Sequence, residues 1–416
     1  MKKHDVCKRQ NGELDMSSIN IVGAGPAGVT LAYLLAKSGI KVTLLERETD
    51  FYRIFRGEAM MPLGLEALEQ MQIDIRDIPS RLIHSWDMHV ANQQIFNVIE
   101  PQAELGSRAV SVMSQPHFLE HVVGLALKYE NFKLMRGVTV RDLVKKDGRA
   151  VGVSGLMHGE EVEFLADFTI GCDGRGSIVR TRSEIQLDLL PESYDILWFK
   201  FPAPESIHGR TDVLMMGSVK NTALAYNSFD NQIRYALLLP KGGYDRQNDW
   251  ISEIAEPAPP WLAKHILSLR NQIEEPLKLN VIVGRAQQWH QPGVLLIGDA
   301  AHPMSPIRAQ GINLALRDVI VAANYLVPLL QNGAGRQALD SAAHDIEAER
   351  LPEIVRAQTL QLREARGQMN ERWKPVLIGI AKMTGPLFGR FKWASNAWLK
   401  QQHDLRFGTV PVELHI

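Results

Sequence analysis

The amino-acid sequence predicts an α/β protein: a parallel sheet of strand–helix–strand units, an antiparallel sheet inserted into it, and a helical C-terminal region. Three observations carry that prediction. A short apolar run, a glycine-rich turn and an apolar-faced helix follow one another between residues 19 and 39, and a second apolar run closes the unit. Two later apolar runs each end in a turn that contains glycine and aspartate, at residues 171–174 and 298–299. Between residues 191 and 240, aromatic and β-branched runs are broken by Gly, Pro and Asn, which is the pattern of antiparallel strands.

Composition narrows the class. At about 150 residues per domain, 416 residues suggest two or three domains. Hydrophobic residues at 45% and charged residues at 22% exclude a disordered or fibrous chain. Lys and Arg total 46 against 47 Asp and Glu, a net charge of -1, so the chain lacks the cationic excess of a dedicated nucleic-acid binder. Two cysteines, Cys7 and Cys172, cannot build a disulfide framework, so a reducing cytoplasm is expected. No uninterrupted apolar run reaches the roughly 18 residues that span a bilayer. Residues 1–16 are polar, lack the apolar segment of a secretory signal, and read as a loose, flexible extension with Met16 as a candidate start. No metal ligands are expected.

The first unit begins with Ile19, Asn20, Ile21 and Val22, a short buried strand. Gly23-Ala24-Gly25-Pro26-Ala27-Gly28 follows, then a helix that stops at Gly39, then a strand from Ile40 to Leu45 ending at Glu46 and Arg47. Gly23 permits the tight turn and Gly25 lets a pyrophosphate reach the backbone. Gly28 allows close helix–strand packing, and the helix N-terminus presents free N–H groups to the anion. Glu46, 18 positions after Gly28, would accept hydrogen bonds from an adenosine ribose. Strand, turn, helix, strand and acid in register predict dinucleotide binding. The motif alone leaves FAD and NAD open.

Residues 164–170 read as a strand and lead into Gly171-Cys172-Asp173-Gly174. Residues 293–297 form another, leading into Gly298-Asp299-Ala300-Ala301-His302-Pro303, then Pro306, Ala309-Gln310-Gly311-Ile312-Asn313 and a helix. Each places an aspartate just past the C-terminal end of an apolar strand, where open α/β sheets bind ligands. In this order and spacing, the three segments resemble the FAD-dependent aromatic hydroxylases of the para-hydroxybenzoate hydroxylase type, the class A flavoprotein monooxygenases. The resemblance runs from about residue 19 to residue 358.

It implies a Rossmann-like FAD-binding domain over residues 17–80, 104–190 and 276–345. A substrate-binding domain with an antiparallel sheet would take 81–103 and 191–275, and C-terminal helices 346–416. It also implies that Gly23, Gly25, Ala27 and Gly28 hold the pyrophosphate, and that Glu46 and Arg47 lie at the adenosine. Asp173 and Gly174 match a fingerprint serving FAD and NAD(P)H together, and Asp299 matches the aspartate at the ribityl chain. Pro306 to Asn313 match the loop and helix start over the flavin, with Pro306, Gly311 and Asn313 nearest the chemistry and Ala309, Gln310 and Ile312 between them. A helix starting near Gly311 would direct free N–H groups at the flavin edge that turns negative on reduction. The family's usual glycine before Gln310 is Ala309 here.

The activity implied is a monooxygenase. NAD(P)H, as NADPH or NADH, reduces FAD; O2 adds to give a C4a-hydroperoxide; one oxygen atom passes to an aromatic or other electron-rich small molecule. Reductases, oxidases and halogenases share the scaffold, but the halogenase Trp-x-Trp-x-Ile-Pro signature is missing. Chaperones of prenylated proteins share it too, without a redox cofactor, and the intact Gly25, Glu46, Asp173 and Asp299 argue against that class.

Less specific positions complete the reading. Arg56, in Phe55-Arg56-Gly57-Glu58, would reach the FAD phosphates or the ring edge. Gln115, with Phe118 and Val122 at helical spacing, would meet the ribityl or phosphate groups. Arg180 suits either a structural ion pair or attraction of NAD(P)H. Cys172 reads as a small residue packed under a turn, and His302 as a turn cap. Trp198, Met215, Tyr226 and Tyr235 are candidates to line the substrate pocket, although half of a strand's side chains face a core in any case. Helices are expected at 261–270 and, after Ser341, at 346–350 and 353–366. The tail from Pro375 to Met383, followed by Phe388, Phe391, Trp393 and Trp398 among Lys and Arg, suits a helical cap on the FAD domain; a membrane-surface helix is the other reading. The expected partners are a small aromatic or apolar substrate, O2 and NAD(P)H, with no nucleic acid, for a monomer or homodimer.

Overall fold

The computed structural model describes residues 18–52, 57–191, 194–368, 378–380, 383 and 392–416. Five short apolar runs form a parallel sheet in the order Val294–Leu296, Phe168–Gly171, Ser18–Val22, Lys41–Glu46 and Phe132–Arg136, with His290–Gln291 antiparallel at one edge. The three neighbouring strands Val294–Leu296, Phe168–Gly171 and Ser18–Val22 are buried almost end to end, as parallel strands covered on both faces must be. Ile21 pairs with Ile170, which pairs with Leu295, and Val22 pairs with Gly171, which pairs with Leu296. The three strands that carry the motifs are therefore neighbours, and their C-terminal ends lie level. Helix Pro26–Lys37 packs between Gln115–Ala126 and the core helix Gln310–Gln331.

The strand expected at 164–170 divides in two. Glu160–Leu165 closes an antiparallel meander with Val138–Lys146 and Arg149–Met157, and only Phe168–Gly171 joins the parallel sheet. At the break, the Asp167 carboxylate accepts the Ser18 N–H at 3.1 Å, so the chain turns between the two sheets there.

The second sheet runs in the order Leu277–Leu279, Tyr194–Pro202, Gln232–Pro240, Thr222–Asn227, Thr211–Gly217, Ser80–Val90, Ser111–Met113, Ala59–Met60, with Gln93–Ile99 paired to Ser80–Val90. It is mixed rather than wholly antiparallel, because Thr211–Gly217 lies parallel to Ser80–Val90. The chain between those two strands crosses to the parallel sheet, where it supplies Phe132–Arg136 and Phe168–Gly171, and a parallel pair requires such a long crossover. Alternate side chains on its central strands face two different cores. Leu197, Phe199, Leu214, Met216 and Leu237 pack against helices Trp250–Ala255 and Pro260–Ser268. Trp198, Val213, Met215, Leu224 and Tyr226 pack toward the parallel-sheet core.

The helical segments expected after Ser341, at 346–350 and 353–366, form one helix, Arg336–Gln368, which packs along Gln310–Gln331. Helices Lys392–Gln401 and His403–Phe407 follow. Residues 1–16, and the apolar tail from Pro375 to Met383 except 378–380 and 383, lie outside the described residues, as do Phe388 and Phe391. The stretch Ile307–Gln331 is long and apolar enough to cross a membrane, but 72% of its apolar window is buried inside the protein, so packing accounts for its composition.

Candidate functional site

The three turns meet at one edge of the parallel sheet, through backbone contacts that only glycine permits. A Cβ on Gly28 would stand 1.9 Å from the Gly23 carbonyl oxygen. Gly23 sits at φ +98°, against the Cys172 carbonyl and the Asp173 Cα. A Cβ on Gly298 would lie 3.3 Å from that of Ala315 and 3.6 Å from that of Ala27, so the first turn, the third turn and the core helix touch there. Arg180 ties the second turn to the third, donating to the Ala300 carbonyl at 2.7 Å and to the Arg175 carbonyl at 2.8 Å. Its partners are two backbone carbonyls rather than the carboxylate of the expected ion pair. Cys172 lies below this junction, where burial pushes its thiol pKa well up.

Two helices begin at this edge. Pro26–Lys37 and Gln310–Gln331 each have no side-chain cap on the first N–H groups and no acidic residue in the first turn. A Cβ on Gly25 would meet nothing within 4 Å. Uncapped N–H groups facing open space at a helix start suit an anion. Gly311, at the start of the second helix, is equally open apart from Asp299, whose Oδ1 lies 3.7 Å from where a Cβ would be. Asp299 thus stands beside that helix N-terminus.

Several expected ligand residues turn their side chains to the protein. Glu46 accepts the Ala24 N–H at 2.8 Å and the Glu48 N–H at 2.9 Å, so its carboxylate bridges the first turn and the end of its own strand. The Arg47 side chain is exposed, 2.7 Å from Glu48. Asp173 accepts from Ser177 Oγ at 2.6 Å and from the Ile178 N–H at 2.7 Å, capping the short helix Ile178–Arg182. Burial raises its pKa. Gly174, at φ +82°, completes that turn in open space. Gln115 opens helix Gln115–Ala126 and is half-buried. Arg56 lies outside the described residues.

The loop before the core helix departs furthest from expectation. Asn313 is wholly buried, accepts the Met61 N–H at 2.9 Å and donates to the Ala309 carbonyl at 2.6 Å and the Ala59 carbonyl at 3.2 Å. It staples residues 59–61 to this loop, with its side chain fully spent. Gln310 is buried and donates to the Arg308 and Leu405 carbonyls. Pro306 is exposed, and Gly311 and Ile312 are half-buried at the helix start. Arg308 and Ala309 are both left-handed, at φ +60° and +51°, a conformation that costs a non-glycine residue about 1–2 kcal/mol. Arg308 offsets this with an ion pair to Glu364 at 2.7 Å and a place over Trp398 and Trp86, 4.9 and 5.8 Å from the ring centroids. Sequence reading missed this clamp, and two consecutive non-glycine residues gave no signal for it. His302 is also structural, with Nε2 2.7 Å from Asp318 and its ring 4.9 Å from that of Trp289.

Among the substrate candidates, Trp198, Met215 and Tyr226 face the parallel-sheet side. Tyr235 does not. It is wholly buried on the opposite face, where its hydroxyl donates to the Ile254 carbonyl at 2.7 Å. The structure adds a group that sequence reading passed over. Glu58 is buried and accepts from Ser228 Oγ at 2.7 Å, Arg234 Nε at 3.1 Å and Tyr226 Oη at 3.4 Å. Burial raises the pKa of Glu58 against the pull of Arg234, and raises that of Tyr226 much further. The Arg-Gly-Glu run after Phe55 was the available signal, but its arginine drew the attention.

This arrangement has known counterparts. The FAD binding domain family matches residues 16–356. A 6-methylpretetramide 4-monooxygenase of Streptomyces rimosus is 32% identical over 359 residues, which is 84% of this chain and 84% of that protein. A p-hydroxybenzoate hydroxylase of Acinetobacter baylyi is 24% identical over 348 residues, 78% of this chain and 80% of that one. In fold, the crystal structure of p-nitrophenol 4-monooxygenase PnpA from Pseudomonas putida superposes with a TM-score of 0.72 at 18% identity, covering 95% of this chain and all of that one.

Proposed function

The chain belongs to the FAD binding domain family and is an FAD-dependent monooxygenase, and from that premise we propose that it hydroxylates a phenolic aromatic molecule at the interface of its two sheets. The observation that carries this reading is the convergence of the three turns with two uncapped helix N-termini at one sheet edge. The residues fit FAD. Gly23, Gly25 and Gly28 with the start of helix Pro26–Lys37 would hold the pyrophosphate, Glu46 the adenosine end, and Asp299 the ribityl chain. The N–H groups from Gly311 onward would face the ring. Bound FAD supplies hydride acceptance from NADPH or NADH and activation of O2, so that substrate C–H, O2 and NAD(P)H with a proton become C–OH, water and NAD(P)+.

The protein contributes position and dryness. The dipole of the core helix favours negative charge at its N-terminus. The second sheet presents Trp198, Met215 and Tyr226 toward the same region, an apolar and aromatic face that would exclude water from the reacting atoms. The substrate class is inferred from this face and from relatives named for p-hydroxybenzoate, resorcinol and 6-methylpretetramide. The FAD-binding and substrate-binding regions follow the sequence division, except that Ala59–Met60, Ser111–Met113 and Leu277–Leu279 join the second sheet, and a cytoplasmic location accords with the free thiol of Cys172.

Anaerobic titration with NADPH and then NADH tests the reading. Substrate-accelerated bleaching of the flavin, then one equivalent of hydroxylated phenol on admitting O2, is expected; flavin that stays oxidised with both donors refutes it. Asp299→Ala removes a hydrogen-bond acceptor, and its cost of about 1–3 kcal/mol should weaken FAD retention by roughly 10- to 100-fold. If that variant purifies with full flavin and normal turnover, the role given to Asp299 is wrong.

A further inference from the structure

The face of the substrate sheet turned away from the motifs holds a cavity of about 240 Å³, beneath the 205–210 turn and helix Pro260–Ser268. Of the residues given to the cofactor and substrate sites, Tyr226 alone also lines it. Apolar and charged side chains line it together. Leu214 and Leu262 are apolar, and Trp261 is partly exposed at its edge. On the sheet surface beside Leu214 stand Asp87, its cross-strand partner, and Asp212, two residues away on the same strand, with Ser85 Oγ between the two carboxylates at 2.9 and 2.7 Å. Arg210 is the one cation among the residues lining the cavity, and its Nε is 2.6 Å from Asp212. One positive charge against two negative ones leaves this wall anionic.

Two further groups in the same wall lack partners. His89 is 7% exposed and Asn227 3% exposed, yet His89 Nδ1 and Asn227 Oδ1 have no hydrogen bond. The Asn227 amide nitrogen donates to the Ile207 carbonyl at 2.7 Å and the Arg210 carbonyl at 3.0 Å. That pairing assigns the nitrogen and leaves the oxygen as a buried acceptor. Buried polar groups in folded proteins are almost always paired, with protein, water or ligand. An acceptor-rich, anionic wall calls for a donor that carries positive charge.

We propose that this cavity is a second small-molecule site, for an organic amine with a flat apolar body. Its ammonium group would lie toward Asp87, Asp212 and Asn227 Oδ1, and its body against Leu214, Leu262 and the Trp261 ring, a surface that also favours cations. At interior packing density the space holds on the order of ten non-hydrogen atoms, below the roughly 300–1,000 Å³ of pockets for drug-sized ligands.

Calorimetric titration of the FAD-loaded enzyme with phenethylamine, 2-phenylethanol and 3-phenylpropionate separates the outcomes. The amine is expected to bind at least roughly tenfold tighter than the alcohol, the scale of one charge-assisted hydrogen bond, and the carboxylate not at all. Asp87→Asn should weaken the amine roughly tenfold with the flavin spectrum unchanged, and Leu214→Trp should abolish binding by filling the space. No amine binding at about 10 mM means a cavity that holds water only, and overturns the proposal. So does equal affinity for all three probes, or an affinity that Asp87→Asn leaves unchanged. If Leu214→Trp fails to fold, the Asp87→Asn titration decides alone.

Discussion

Gly28→Ala is expected to yield protein with almost no flavin. The added Cβ would lie 1.9 Å from the Gly23 carbonyl oxygen, a backbone atom that no rotamer change can move away. Helix Pro26–Lys37 must shift off the first strand by about an ångström or more, carrying its N-terminal N–H groups with it. Overpacking of this kind costs typically 1–3 kcal/mol, and a clash with backbone belongs at the top of that range, about 100-fold in FAD affinity. Gly25→Ala is the control that separates the packing role from the ligand role. At φ -75° and ψ -177° its backbone suits alanine, and the methyl meets nothing within 4 Å. That variant should keep the apoprotein Tm but lose FAD affinity, because the methyl takes space left for the phosphates. Gly28→Ala should lower both. The flavin-to-protein absorbance ratio, with apoprotein melting, reads the difference. Equal flavin content in Gly28→Ala and the parent would refute the assignment.

The contrast between those glycines also shows what a sequence can reveal. The first turn is legible because its requirements are local: strand, glycines, helix and acid occur within 28 residues, from Ile19 to Glu46. Asp299 is legible for the same reason, at the end of an apolar strand. Tyr235 was misplaced because both faces of its sheet are covered, one by the parallel-sheet core and one by helices Trp250–Ala255 and Pro260–Ser268. Alternation then marks two faces without saying which is which. Asn313 and Gln310 were read as ligand residues, yet their side chains bind Met61 and Leu405, contacts separated by 252 and 95 positions. The Arg308 clamp to Trp86, Trp398 and Glu364 joins three distant segments. No periodicity records such pairings, and those of Gln310 with Leu405 and of Arg308 with Trp398 and Glu364 exist only once the C-terminal helices have docked.

A buried ion-pair network behind the third turn carries the second large effect. Arg350, on helix Arg336–Gln368, is 0% exposed, with Nε 2.8 Å from Asp318 and Nη1 2.5 Å from Glu353. Asp318 also takes His302 at 2.7 Å and the Gly298 N–H at 3.1 Å, so the network props the turn that carries Asp299. Arg350→Met leaves two buried carboxylates short of their shared cation. Removing one partner of a buried ion pair costs about 3–5 kcal/mol, a fall in Tm of roughly 5 °C if a chain of this size melts as one unit. The pH dependence identifies the cause. Burial alone would raise the pKa of Asp318 and Glu353, but His302 and Arg350 hold the first, and Arg350 and Arg317 the second, below their ordinary values. In the parent their contribution is present above the unfolded carboxylate range and is lost only as the pH falls through the lowered folded values. In Arg350→Met the cation is gone and burial prevails, so the folded pKa values rise. The deficit should then be greatest near neutrality and shrink toward pH 4 as the carboxylates take up protons. Melting curves of both proteins from pH 4 to 8 measure it, and a deficit that stays constant across that range would assign the loss to packing of the long side chain instead.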